Sequence, residues 1–356
     1  MDVRKGQLKV TLTEAEFKKR MREKFYDPEF DSVEKELRSV IQVAWKNYIE
    51  YRKSPRSKLA GSKFADPKFE LPIEWLETSD KLKKAEKIQK NAKSKSRILV
   101  ICASPRNDQT CPGEMSKTFR LAEIAKKIIE RERGFECDFL DLSRVTAEFG
   151  KVIFPCKGCV STAMPLCNWP CSCYPNHALA QSGDWMADIY EKWVLAHGVM
   201  IVTPVHWYQS PSVLKLMIDR LVCADGGNSD PTLTGGKDPA KAKKLELEGW
   251  DYPKHLAGRA FSVVVHGDAA GVENLRRILS DWLTDMHLIQ ASASSVIGQY
   301  IGYYKPYAIS HKELDNDKNI QIEVKNAAKS LLKQIKMIRS GAYVSPDTGL
   351  TDPNQK

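Results

Sequence analysis

Four stretches of this 356-residue chain carry residue types that do chemistry. The densest is Cys156, Cys159, Cys167, Cys171 and Cys173, five of nine cysteines within 18 residues, spaced C-x2-C-x7-C-x3-C-x-C. Iron–sulfur clusters and structural zinc need four ligands that converge in space, and five candidates can supply four. A redox-active or structural disulfide, and a conformational role without metal, are the other uses open to them. The second stretch is Ser104-Pro105-Arg106, followed after a loop by Ser116-Lys117-Thr118. Small hydroxyls, an arginine and the free N–H groups of a helix start suit a phosphate; an ordinary helix cap beside a surface arginine is the plainer reading. The third and fourth are Pro204-Val205-His206-Trp207-Tyr208 and Val265-His266-Gly267-Asp268-Ala269-Ala270-Gly271. Each offers one histidine, His206 or His266, that could donate a proton to a product or simply sit hydrogen-bonded in its loop. Neither GxGxxG nor GxxxxGK[ST] occurs, which excludes the dinucleotide fingerprint and argues against a nucleotide triphosphatase.

Such groups act together only if the fold brings them together. From residue 97 onward, short runs that are apolar throughout alternate with helical periodicity. Strands are expected at 98–103, 135–142, 199–203, 260–266 and 289–297, with a short one at 151–155. Helices are expected at 114–133, 184–196, 210–223, 272–286 and 313–338. Apolar strands alternating with helices predict a parallel sheet covered on both faces. Ligands of such sheets sit outside the C-terminal strand ends, where the last three chemical stretches all lie. Upstream, Thr13 and Glu16 form a capping-box signature. Val33, Leu37, Val40, Ile41, Ala44, Trp45, Tyr48 and Ile49 make one apolar helical stripe that has to be buried against something. Residues 52–67 read as an irregular connection and 79–95 as a polar helix running into a linker. The chain thus divides into a helical N-terminal extension and linker (1–96), an α/β body (97–340) with an insertion at about 224–257, and a flexible tail (341–356).

Taken in order, Ala103-Ser104-Pro105-Arg106 with Ser116–Thr118, then Thr203–Ser210 with Lys215 and Asp219-Arg220, then Val265–Gly271, resemble the signature loops of the flavodoxin-like NAD(P)H-dependent FMN reductases and multimeric quinone reductases. The likeness covers about residues 97–300, with Ala103 in place of the family's glycine and a longer loop after Arg106. It implies a flavodoxin-like five-stranded parallel sheet in the order 2-1-3-4-5, a bound FMN, and NAD(P)H as co-substrate. Hydride or electrons would pass through flavin N5 to a small acceptor such as a quinone, flavin, nitroaromatic or metal oxyanion. The resemblance places Ser104, Arg106, Ser116, Lys117 and Thr118 around the FMN phosphate. Pro204, Val205, His206, Trp207 and Tyr208 would run along the ring edge, with Trp207 or Tyr208 against the ring. His266, Gly267, Asp268 and Gly271 would border its pyrimidine side. His206 and His266 are the catalytic candidates. The cysteine run sits where the related iron–sulfur flavoproteins carry their cluster; its opening CxxC fits and its later spacing departs. An iron–sulfur flavoprotein carrying electrons for a protein partner is therefore the alternative. In multimeric relatives, insertions like 224–257 cover the neighbouring subunit's flavin, which implies a homodimer or homotetramer.

The formal charge of +10 is lopsided: residues 1–97 hold 25 Lys+Arg and 16 Asp+Glu, and the remainder 30 and 29. Basicity invites a nucleic-acid partner, but no recognition motif accompanies the charge and the body is almost neutral. We read the basic quarter as a helical brace with its lysines in solvent. The absence of an 18-residue apolar run argues against a transmembrane helix, and the first residues lack the apolar core of a secretory signal. A cytoplasmic protein with mostly reduced cysteines is the expectation.

Overall fold

The computed structural model describes residues 12–268, 270–302 and 304–350. Thr13 caps α1 (Glu14–Arg22) through the reciprocal Thr13–Glu16 bonds of a capping box. Phe17 of α1 lies against Trp45 and Tyr48 of α2 (Glu34–Ile49), with ring centroids 5.4 and 4.9 Å apart. Only Leu37 and Ile41 of α2 are buried, while Val40 and Ile49 are half exposed. The apolar stripe is wider than its cover, so its expected full burial does not occur. α1 and the turn His177–Leu179 shield one side, and the other faces solvent.

The stretch at 52–67 is only partly irregular, because β1 (Ser57–Leu59) pairs antiparallel with β2 (Glu70–Pro72). The next helix, α3 (Ile73–Lys90), starts earlier than its charge run suggests. It buries Trp75, Leu76, Ser79, Leu82 and Ala85 and leaves its lysines exposed. The Trp75 indole donates to the Pro170 carbonyl at 2.8 Å, and Leu82 and Ala85 enter the main core.

Thereafter strands and helices alternate. β3 (Ser96–Cys102), α4 (Lys117–Glu130) and β4 (Phe135–Asp141) are followed by a single turn, α5 (Arg144–Ala147). Next come α6 (Met186–Leu195), β5 (Gly198–Pro204), α7 (Ser212–Arg220), α8 (Pro239–Leu247) and β6 (Ala260–Gly267). The chain ends through α9 (Val272–Asp285), β7 (Ile289–Gln290), β8 (Val296–Tyr300), α10 (Ser310–Asn316) and α11 (Lys318–Arg339). The strands run parallel in the order β4-β3-β5-β6, and both β7 and β8 pair with β6. Counted along this sheet the order is 2-1-3-4, with the fifth position shared by two short strands where one was expected. The turn Ala293–Ser295 divides them, anchored by the Ser262 hydroxyl on the Ser295 carbonyl at 2.8 Å.

Every residue of β5 and β6 is buried, which explains why their sequences are apolar throughout instead of alternating. Leu99, Ile101, Val199, Ile201, Phe261 and Val263 pack toward α3, α6, α7 and α9; Ile98, Val100, Met200 and Val202 pack toward α4 and α11. The strand expected at 151–155 is reduced to one bridge, Val152 with Asp184. The final helix divides at Asp317, whose carboxylate accepts from the amides of Asn319 and Ile320 and caps α11. Among the described residues no helix is long and apolar enough to cross a membrane. Residues 1–11 of the extension and 351–356 of the tail lie outside the described residues.

The insertion is built, not loose. Asp230 and Thr232 accept from the amides of Ala65 and Asp66, and Glu246 of α8 accepts from the Met164 amide at 3.0 Å. Ala242 of α8 is fully buried against Ala163 and Leu166. Within one chain, this segment covers the cysteine-rich stretch.

Candidate functional site

β3, β5 and β6 are adjacent, and the loops leaving their C-terminal ends meet in one crevice at the topological switch point. Two contacts tie the loops together. Thr118 Oγ1, in the first turn of α4, lies 2.8 Å from His266 Nε2 at the end of β6, and both side chains are buried. Gly271 lies against the loop after β5 so closely that a Cβ there would come within 2.9 Å of the Tyr208 Cα. With φ of +108°, Gly271 also holds a backbone shape that other residues rarely adopt.

Beneath the first loop, Ser116 caps α4 by accepting from the Phe119 amide at 3.1 Å, leaving the first amides of the helix without intrahelical partners. Ser104 is buried and its hydroxyl accepts from the Arg106 amide at 3.2 Å. The Arg106 guanidinium pairs with Glu114 at 2.9 Å, and His311 of α10 holds the other oxygen of Glu114 at 3.0 Å. Arg106 Nε, Arg120 Nε and His311 Nε2 are all buried without a hydrogen-bond partner. Buried nitrogens without partners are costly; Arg106 and His311 share the Glu114 carboxylate while the Arg120 guanidinium pairs with Asp315, so the Arg106–His311 side is a place that an anion would complete. Lys117 Nζ donates to the Ile301 carbonyl at 3.3 Å; burial lowers its pKa, while Asp268 opposes the shift.

Around the second loop, the side chains expected to meet a ring stand outward. Trp207 is 92% exposed and Tyr208 59%, both with positive φ in the tight reversal closed by His206 and Gln209. Pro204 and Val205 are less open, and Val205 packs beside Gly267. Tyr300, Tyr304 and Tyr307 extend the same rim, with the Tyr300 and Tyr304 rings 5.0 Å apart. A hydrogen bond to Asp268 raises the Tyr307 pKa. Burial pushes His266 down to about 3, helped by Lys117 and His206, and burial also lowers His206. The His266 ring is therefore neutral at neutral pH, so it serves as a fixed hydrogen-bond partner and not as a charged acid.

Residues 96–300 match the model of a family described as NADPH-dependent FMN reductase. The chain belongs to that family. The iron-sulfur flavoprotein of Methanosarcina thermophila is 29% identical over 126 residues, which are 35% of this chain and 52% of that protein. The chain thus matches about half the length of this curated relative. Among solved structures it is similar to RosB with a bound 8-demethyl-8-formylriboflavin-5'-phosphate intermediate, at 12% identity and a TM-score of 0.48, covering 70% of this chain and 82% of that one. It is also similar to the apo form of the NADH:FMN oxidoreductase EMOB, at 15% identity and a TM-score of 0.36, covering 71% and 93%.

In the cysteine stretch of this FMN reductase-family chain, two sulfurs and a lysine come together. Cys159 Sγ lies 3.5 Å from Cys173 Sγ, and Lys237 of the insertion places its Nζ 3.2 and 3.4 Å from the two sulfurs. All nine cysteines are free. Among the described residues no three His, Cys, Asp or Glu side chains form a group that could hold a metal ion. Of Cys156, Cys159, Cys167, Cys171 and Cys173, the pair Cys159 and Cys173 thus has an ammonium beside both sulfurs. The hydrogen bond from Cys173, and then the Lys237 charge, lower Cys159 to about 6 against the opposing effect of burial. Burial raises Cys167, and a bond to Cys173 together with burial raises Cys171.

Arg220, noted in the sequence only as half of an Asp-Arg pair, anchors this stretch. Its neighbour Asp219 is exposed and pairs with Lys215, whereas Arg220 is buried and bonds to Asp184 and to the Phe154 carbonyl. Sequence reasoning missed Lys237, Lys53 and Arg120 because nothing marks out one lysine or arginine among 55, and His311 because it lies in a helix far along the chain from the loops it joins. A tyrosine-dense run after the last strand was the available signal for the rim.

Proposed function

We propose that this chain is an FMN-dependent NAD(P)H oxidoreductase that passes reducing equivalents to a small, planar acceptor such as a quinone, a flavin or a nitroaromatic. The observation that carries the reading is the joining of three adjacent strand-end loops, through Thr118–His266 and Gly271–Tyr208, beside the buried, partnerless Arg106 Nε. FMN, when bound, supplies the two-electron chemistry between nicotinamide and acceptor. The first amides of α4, with Ser104, Ser116, Thr118 and the freed Arg106 fork, would bind the phosphate. Glu114 now occupies that fork and would yield to a dianion. Pro204–Tyr208 and His266–Gly271 would offer backbone donors to the ring edge, and neutral His266 would orient Thr118. Trp207 and the tyrosine rim favour flat aromatic acceptors through stacking. A second copy of the chain closing over the exposed Trp207 would agree with the homodimer or homotetramer expected from the family.

The test is a fluorescence titration with FMN and with riboflavin, which lacks the phosphate, alongside NAD(P)H oxidation in the presence of a quinone. The wild-type protein should prefer FMN strongly. Arg106→Ala should weaken FMN binding about 10- to 150-fold, the equivalent of about 1.5–3 kcal/mol for a charged hydrogen bond, and leave riboflavin nearly unchanged. Equal affinity of the wild-type protein for FMN and riboflavin would overturn the phosphate assignment.

A further inference from the structure

The sulfur–lysine cluster takes no part in the proposed flavin chemistry, yet it is assembled from three separate parts of the chain. Cys159 and Cys173 come from the cysteine stretch, and Lys237 comes from the insertion, where it also donates to the Leu166 carbonyl at 3.5 Å. Lys53 comes from the N-terminal extension, where its Nζ donates to the Ser172 carbonyl at 2.5 Å and interacts electrostatically with Cys173 and Cys171. Lys157 adds a third ammonium, 5.0 Å from the centre of the Tyr174 ring. Cys159 is half-buried and Cys173 buried. One sulfur can therefore be reached by a small molecule, and the other waits behind it.

We propose that Cys159 and Cys173 are a peroxide-reactive dithiol that closes reversibly to a disulfide beneath Lys237. The Cys159 thiolate attacks the distal oxygen of a hydroperoxide; the O–O bond breaks, an S–O bond forms, and the alcohol or water leaves with a proton from solvent. Cys173 sulfur then attacks the Cys159 sulfenic acid; the S–O bond breaks, the S–S bond forms, and hydroxide leaves with the Cys173 proton as water. In sum, two thiols and one hydroperoxide give one disulfide, one alcohol and one water. The sulfurs need only close from 3.5 Å to about 2.05 Å. Closure removes the thiolate charge that Lys237 faces, leaving its ammonium with the Leu166 carbonyl. Oxidation thus loosens the insertion over the cysteine stretch.

The experiment uses the full chain, reduced, desalted and treated with one equivalent of hydrogen peroxide. Nine thiols titrated after unfolding should fall by two, with a Cys159–Cys173 linked peptide found by mass spectrometry and lost again on treatment with dithiothreitol. Cys173→Ser should instead leave a Cys159 sulfenic acid that dimedone traps, a readout that does not depend on closing the bond. Lys237→Met should raise the pH midpoint of Cys159 alkylation by about 1–3 units, as expected for loss of an adjacent opposite charge. Hydrogen exchange in residues 230–247 should quicken in the oxidised protein and not in oxidised Cys159→Ser. A disulfide between any other pair, no thiol loss, or stoichiometric iron in protein purified without air would each overturn the proposal.

Discussion

The ion pair between Arg220 and Asp184 is the most sensitive structural joint of the cysteine stretch. Arg220 is 1% exposed and Asp184 11%. The pair is bidentate, at 3.1 and 2.6 Å, and Arg220 also donates to the Phe154 carbonyl at 2.9 Å and lies 4.6 Å over the Tyr174 ring. In Asp184→Ala the guanidinium keeps its burial and loses its counter-charge. Removing one partner of a buried pair costs about 3–5 kcal/mol, more than the intact pair contributes, because the remaining charge stays desolvated. A chain of this length unfolds with an entropy of about 0.7 kcal/mol/K, so the melting temperature should fall by about 4–7 °C. Guanidinium unfolding followed by circular dichroism gives the free energy, and a thermal scan gives the shift. Lys215→Ala is the control, since it removes the exposed ion pair with Asp219 on the outer face of the same helix; its effect should stay within about 0.5 kcal/mol. A loss below about 1 kcal/mol in Asp184→Ala, or one equal to the control, would refute the reasoning. Replacing both partners with apolar residues should recover only part of the loss, because the Phe154 carbonyl would then lack its donor.

Two further outcomes follow from the crevice. Gly271→Ala adds a Cβ 2.9 Å from the Tyr208 backbone at a φ of +108°; it should cost about 1–3 kcal/mol of stability in denaturant unfolding and weaken FMN binding together with it. His266 is held near 3 in the folded chain against an ordinary 6.5. Acid therefore protonates the unfolded chain first, and stability falls as pH drops below 6.5, by about 1.4 kcal/mol per unit. Between pH 6.5 and 5 the wild-type protein should lose about 2 kcal/mol more than His266→Gln, measured by urea unfolding at each pH.

The sheet was legible because burial on both faces writes itself as uninterrupted apolar runs, and β5 and β6 are read from Gly198–Pro204 and Ala260–Gly267 almost residue by residue. The crevice loops were legible because small residues, prolines and a histidine cluster directly after those runs. What stayed hidden is long-range or a matter of degree. The helical period marks eight apolar positions along and just before α2, but nothing local says that neighbours fully bury only Leu37 and Ile41. The cysteine spacing admits several pairings, and nothing in it points to Lys237, 64 residues from Cys173, as the neighbour of two of the sulfurs. Asp219 and Arg220 are adjacent in sequence, and the helical turn of α7 points one to a surface pair and the other inward as a buried anchor.

The two parts of the chain that exceed a simple α/β sheet both serve the same segment. From the extension, Lys53 accepts from the His177 amide and donates to the Ser172 carbonyl, and Trp75 donates to the Pro170 carbonyl. From the insertion, Lys237 meets the sulfurs and Glu246 holds the Met164 amide. Extension and insertion also bond to each other through Asp66 and Thr232. Most of the excess lysine in the first quarter of the chain faces solvent, but the one at position 53 is spent on the cysteine stretch. There it faces Cys173 and Cys171, while the charge of Lys237 helps lower Cys159 in partly buried surroundings that would otherwise disfavour a thiolate. A chain needing only a flavin crevice could dispense with both additions; a chain that also holds a reactive thiol pair needs a cover that supplies cations and limits access to one sulfur.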